Sequence, residues 1–212
     1  MNHILGWKGG NHNERLRNQE FEPRNNKTEH VAEHGIALPD FSSLESMIEQ
    51  DVRRFHKNSK NDVIVIYDLS QEVFYRQNTA NPGLTALGAA LFLFFKDFMY
   101  YLNMEEQQFI PSIKGLLQKI DQPEFQTPDN KPVIQELIRK IRLEHDASVR
   151  RLIYFKVLSK DYVAPVSASK PYRLFLAKLK KFAEDLTTYI HLENRRIFPL
   201  AIELELYLGR KI

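Results

Sequence analysis

From Ser42 onward the apolar residues recur every three or four positions, and the polar residues fill the gaps between them. That is the period of a helix with one buried face; a half-buried strand would alternate every second residue. Ser42-Ser43-Leu44-Glu45 reads as a capping box, so a helix is expected from there to about His56. Lys57 to Asp62 reads as a polar interruption, followed by a second helical stretch from Val63 to about Tyr75. Asn81-Pro82-Gly83 reads as a turn, with a long helix from Leu84. Pro123, Pro128 and Pro132 mark the segment from Gln122 to Pro132 as a connection. A helix then runs to about Lys160, a loop covers Val163 to Pro171, and a last helix runs from Tyr172 towards Leu208. No segment demands a sheet, and the expected class is all-α.

Two of these helices carry the same stripe. Leu87, Leu91, Phe94, Phe98, Tyr101 and Glu105 follow at spacings of 4, 3, 4, 3 and 4, and Phe175, Leu179, Phe182, Leu186, Tyr189 and Glu193 repeat them 88 residues later. Such spacing puts each set on the face of a helix that packs into a bundle core. Both stripes end in Tyr-x-x-x-Glu and reach a proline six residues beyond the glutamate, Pro111 and Pro199. The other helices add one histidine each. His145 continues Ile134, Ile138 and Ile141 and is followed by Leu152 and Ile153; His56 continues Ile48 and Val52 and is followed by Val63 and Ile64. The chain thus reads as two related helical halves, an antiparallel up-down four-helix bundle in which each half turns one His and one Glu inward.

A carboxylate on a core stripe requires a partner, because burying an unpaired charge costs several kcal/mol on the order-of-magnitude scale. Two Glu and two His converging from four helices suit two metal ions, with carboxylates bridging and imidazoles terminal. The competing arrangement needs no ion: tyrosine hydroxyls one turn before each Glu close a polar hydrogen-bond network. The register is open by one position, since Glu106 adjoins Glu105 and His191 lies near Glu193.

Composition narrows the classes further. Of 212 residues, 30 are basic and 27 acidic, mixed along the chain, which argues against a nucleic-acid or membrane-surface partner. Cysteine is absent, so disulfides, thiolate metal sites and thiol nucleophiles are excluded. Residues 1–38 are polar and read as a mobile tail ahead of a bundle over residues 39–212, without a signal peptide. Inside that tail His30-Val31-Ala32-Glu33-His34 matches a metalloprotease pattern but has no apolar face to support it. The most apolar run, Leu84 to Phe95, is shorter than the roughly 20 residues a bilayer requires, and a cytoplasmic location is expected. No catalytic acid, base or nucleophile stands out elsewhere.

Three segments carry a resemblance. Met104-Glu105-Glu106-Gln107-Gln108-Phe109-Ile110-Pro111, Glu144-His145-Asp146 and His191-Leu192-Glu193-Asn194-Arg195-Arg196-Ile197-Phe198-Pro199 resemble the signatures of hemerythrin-like HHE cation-binding domains, nearest the di-iron branch implicated in iron–sulfur cluster repair. The resemblance covers roughly residues 40–208. It implies a four-helix bundle and a non-haem di-iron centre that handles oxygen, nitric oxide or peroxide. It implies Glu105 and Glu193 as bridging carboxylates and His56 and His145 as terminal ligands. The three remaining histidine positions of that family fall on Tyr75, Tyr101 and Tyr189, which become terminal phenolate ligands or hydrogen-bond donors. The N-terminal cysteine-containing domain of many cluster-repair proteins has no counterpart here. Phenolate is a hard oxygen ligand that serves ferric iron, so the resemblance implies two iron ions in an atypical His/Glu/Tyr centre. Zinc or manganese on the four His and Glu residues is one alternative. The other is an abandoned, metal-free site in a helical regulatory or interaction module.

Overall fold

The structure, a computed structural model, describes residues 40–77, 82–121 and 133–209. The polar segment 1–38, the His30–His34 pattern and the proline-rich connection lie outside the described residues. Four helices make up nearly all of what is described, with no strand among the described residues: α1 (residues 42–77), α2 (82–121), α3 (133–158) and α4 (170–209). Three of them contain a π-helical turn, at Ile48–Val52 in α1, Glu105–Phe109 in α2 and Glu193–Ile197 in α4.

Contacts between helices fix the topology. Along α1 and α2, His56 meets Glu105 while Glu49 pairs with Lys114, so the two run antiparallel. The same reversal relates α2 to α3 (Tyr101 with His145, Phe94 with Phe155) and α1 to α4 (His56 with Tyr189, Phe74 with Phe175). Between α3 and α4, His145 stacks on Phe198 while Glu205 accepts the N–H groups of Ile134 and Gln135, covering two of the orphan donors at the start of α3. On the diagonal, α2 and α4 run parallel: Phe98 packs on Phe182 and Phe109 on Phe198, at nearly the 88-residue offset of the sequence repeat. All twelve stripe positions of that repeat are buried.

The π turns follow from the spacing of the buried residues. In α3 the inward positions 134, 138, 141, 145, 148, 152 and 155 alternate steps of four and three, which an α-helix of about 3.6 residues per turn keeps on one face. In α2 the buried run 101, 105, 109, 113 contains three successive steps of four, as do 189, 193, 197, 201 in α4 and 44, 48, 52, 56 in α1. Three such steps would carry the stripe about 120° off the core on a regular helix. One extra residue in a π turn removes about 100° of that drift, and each helix with the triple step has its π turn inside it. Pro111 and Pro199 follow two residues after π turns, and the helices continue through both.

Several sequence expectations are corrected. Lys57 to Asp62 is continuous helix, because its polar residues face out and only the small Ser59 is fully buried. No capping box forms: Phe41 is the N-cap, with no side-chain cap, and the Ser42 N–H donates to Asp40 Oδ1 instead. Ile64 and Ile153 lie outside, each 59% exposed, since an eight-residue step beyond the histidines rotates off the stripe that Val63 and Leu152 keep. The short apolar run proves to be part of a 38-residue helical stretch, Gly83–Ile120, long and apolar enough by those criteria alone to cross a membrane. About a third of its most apolar window is buried against the bundle, and Phe92, Leu93 and Tyr100 lie exposed on its outer face.

Two local features hold the end of the bundle remote from the His and Glu residues. Gly88 lets α1 and α2 approach: a Cβ there would stand 2.5 Å from Phe74 Cε2. The α3–α4 connection places Lys160, Asp161 and Tyr162 consecutively in the left-handed region, at φ 51°, 62° and 61°. Its turn is held by the Asp161 N–H to Lys156 O (2.8 Å), the Tyr162 N–H to Ser159 Oγ (3.1 Å) and the Tyr162 hydroxyl to Leu152 O (3.3 Å).

Candidate metal centre

Six polar side chains meet in the core, one from α1, two from α2, one from α3 and two from α4. They form two crossed triangles. In the first, His56 Nε2 lies 2.9 Å from Glu105 Oε2 and 3.2 Å from the Tyr189 hydroxyl, which itself donates to Glu105 Oε2 at 3.2 Å. In the second, His145 Nε2 lies 3.0 Å from Glu193 Oε2 and 3.1 Å from the Tyr101 hydroxyl, which donates to Glu193 Oε2 at 3.0 Å. Each tyrosine sits one turn before one glutamate yet serves the glutamate of the other half. Glu105 and Glu193 are 0% and 1% exposed, and each opens a π turn, so the local widening of the helix falls on the carboxylate itself. The register left open in the sequence is settled: Glu105 and Glu193 face in, Glu106 is part-exposed and His191 lies outside.

Aromatic walls seal the cluster. Phe55 stacks on Tyr189 with ring centroids 3.8 Å apart, and Phe198 stacks on His145 at 5.7 Å. Tyr75 does not join them: it is 92% exposed, so the expectation that it ligates or donates at this centre is corrected. Its position is 19 residues beyond His56 on α1, more than five helical turns away.

A further layer went unread in the sequence. Glu106 lies with Oε1 3.0 Å from His56 Nδ1, and Lys60 Nζ donates to both Glu106 oxygens at 2.6 and 2.7 Å. Across the repeat, Asn194 Nδ2 donates to His145 Nδ1 at 3.3 Å. Glu106 and Asn194 are themselves 88 residues apart, so extending the repeat by one position would have found them. Both contacts turn Nε2 toward the centre. The Glu106 carboxylate can take the His56 Nδ1 hydrogen, as the outer partner of a metal-binding histidine does, whereas the Asn194 amide hydrogen on His145 Nδ1 leaves that ring's own proton on Nε2.

The electrostatics are those of crowded, desolvated acids. Burial, reinforced by the facing Glu193 charge, pushes the Glu105 carboxyl up to about 8. Burial raises Glu193 to about 7 even though neighbouring donors, the Tyr101 hydroxyl at 3.0 Å among them, favour its ionised form. The same burial, with both glutamate charges nearby, holds the Tyr101 and Tyr189 phenols well above their ordinary value, so both are neutral donors. The histidines diverge. Burial pulls both down, but hydrogen bonds and charge from Glu105 and Glu106 leave His56 raised, whereas His145 beside a neutral amide stays lowered.

Two observations fit this cluster to a cation. One ligand atom each from Glu105, His145 and Glu193 lies within 4.8 Å of the others. Glu105 Oε1 is buried without a hydrogen-bond partner, the one such side-chain atom among the described residues. A buried carboxylate oxygen facing another carboxylate lacks the positive charge that would offset its desolvation, and a metal ion supplies it.

No family model matches the chain. The chain is similar to curated proteins named for iron–sulfur cluster repair. It is 27% identical over 165 residues to iron-sulfur cluster repair protein YtfE of Musicola paradisiaca, covering 76% of this chain and 67% of that protein. It is 27% identical over 166 residues to the protein of the same name in Dickeya chrysanthemi, covering 77% and 68%. With a probable iron-sulfur cluster repair protein of Haemophilus influenzae it shares 23% identity over 158 residues, covering 74% and 65%. The chain therefore spans about two thirds of the length of these relatives.

Proposed function

We propose that the chain is a hemerythrin-like metal-binding protein whose core holds two non-haem iron ions and whose task is to sense or react with oxygen, nitric oxide or peroxide, in the service that its relatives' names describe. The observation that carries this reading is the convergence of Glu105, His145 and Glu193 within 4.8 Å around an unpartnered carboxylate oxygen. In this reading Glu105, Glu193, His56 and His145 would hold the iron, the carboxylates shared between the two ions, and Tyr101 and Tyr189 would serve as phenolate ligands or as donors to a bound ligand. Bound iron supplies Lewis acidity and one-electron exchange to a small ligand. The protein contributes the rest: Glu106 and Asn194 hold the imidazoles from behind, and Phe55 and Phe198 pack over Tyr189 and His145.

Elemental analysis of the purified chain and its colour after ferric loading test the proposal. Phenolate-bound ferric iron absorbs in the visible, so a purple to blue protein with stoichiometric iron is expected, and Glu105→Ala with Glu193→Ala should abolish both. Stoichiometric zinc or manganese with no retained iron would replace iron as the cofactor. A colourless protein that retains none of the three would overturn the reading.

A second reading rests on its own observation. Apart from Glu105 Oε1, the ring of two Glu, two His and two Tyr satisfies itself by hydrogen bonds, as a closed plug in a metal-free interaction or regulatory bundle would. It expects no metal under any loading condition, together with a stability change in Glu105→Gln.

A further inference from the structure

Outside the core, α1 and α2 frame an open cleft of about 730 Å³. That volume lies within the range of small-molecule sites, roughly 300–1,000 Å³. Its walls carry Arg53, Lys57 and Lys60 from α1 and Lys114 from α2. Two carboxylates answer these four cations. Glu106 takes Lys60, and Glu49 pairs with both Arg53 and Lys114. Lys57, exposed on the α1 wall, forms no ion pair with any of the described residues. Two positive charges are left in excess.

The wall opposite contains Gly115, well inside α2. Glycine inside a helix costs about 1 kcal/mol relative to alanine. At Gly88 the Phe74 ring explains the absence of a side chain, whereas a Cβ at Gly115 would meet nothing within 4 Å. Packing within the chain gives no reason for glycine at 115. The space a side chain would take belongs to the cleft.

We propose that this cleft is a binding site for a small polyanion, a molecule carrying two or more carboxylate or phosphate charges, seated against Lys57, Arg53 and Lys114 over the bare backbone of Gly115. The double positive excess selects at least a dianion. The cleft also reaches His56 and Glu106, so a bound polyanion lies one side chain from the buried centre and competes with Glu106 for Lys60. The site stands whether or not the centre holds metal.

Calorimetric titration of the metal-depleted full chain at low ionic strength, with citrate and with inorganic pyrophosphate as probes, tests the proposal. Saturable one-to-one binding of either is expected, and the tighter probe assigns the class as carboxylate or phosphate. Lys57→Glu and Gly115→Glu should each weaken it at least about tenfold, while Lys180→Glu, the same charge change on α4, leaves it unaltered. Circular dichroism of each variant confirms that the helices remain. Saturation by neither probe would overturn the site, as would equal affinity in all three variants. Neither result depends on metal content, so failure here and failure of the metal centre are read separately.

Discussion

Tyr101 and Tyr189 decide how the centre behaves at the level of single side chains. Each gives its hydroxyl hydrogen to a fully buried carboxylate and lies within hydrogen-bond distance of a histidine Nε2. Tyr101→Phe removes the donor to Glu193 and leaves a buried acceptor short, which costs roughly 1–3 kcal/mol. Urea unfolding of the metal-depleted variant should show that loss. In the ferric-loaded protein the same substitution should weaken or shift the visible band if Tyr101 is a ligand. Tyr75→Phe, at a side chain 92% exposed, should change stability by less than about 0.5 kcal/mol and leave the colour intact. The contrast shows what was legible at this scale. Tyr101 and Tyr189 stand on a stripe whose period points inward, and the stripe places them. Tyr75 entered through a family position alone, and nothing in the local period of α1 turned it to the core.

Among the elements, the spacing of buried residues explains both the regular helix and the interrupted ones. The 88-residue repeat made α2 and α4 readable as equivalent helices, and all twelve of its positions are buried. The triple steps of four at 101–113, 189–201 and 44–56 were equally visible, but a helix template with a fixed period has no place for a π turn, so its signal passed unread. The polar stretch from Lys57 to Asp62 misled for the opposite reason, since hydration of an outer face looks like a break when the inward residue is as small as Ser59. Two substitutions test the elements away from the centre. Gly88→Ala forces a Cβ to 2.5 Å from the Phe74 ring, itself packed on Phe175, and should destabilise by about 1–3 kcal/mol. Lys160→Gly relieves a left-handed residue in an exposed turn and should stabilise by about 1 kcal/mol. Denaturant midpoints at unchanged slope check both.

The molecule as a whole is expected to register its two core acids through pH. Without metal, the native state keeps Glu105 protonated to about pH 8 and Glu193 to about pH 7, while in the unfolded chain both ionise near their ordinary 4.5. Between those limits the native state binds more protons than the unfolded one, so stability falls as pH rises. His56, raised in the native state, contributes stability below its ordinary 6.5 that is likewise lost on going up in pH, whereas the lowered His145 works in the opposite sense. The two carboxylates carry the larger shifts and set the direction. Because they face each other, the proton released last belongs to the pair. The metal-depleted protein should therefore lose Tm steadily from pH 5 to pH 8. Metal reverses the linkage: ligands must shed protons to bind it, so loading strengthens with pH over the same window. The gap in Tm between loaded and depleted protein should widen from pH 5 to pH 8, and scanning calorimetry of both forms measures it. A depleted protein whose Tm is flat or rising across that range would mean that both carboxylates are ionised in the empty core. A neighbouring cation would then have to be found for the unpartnered Glu105 Oε1.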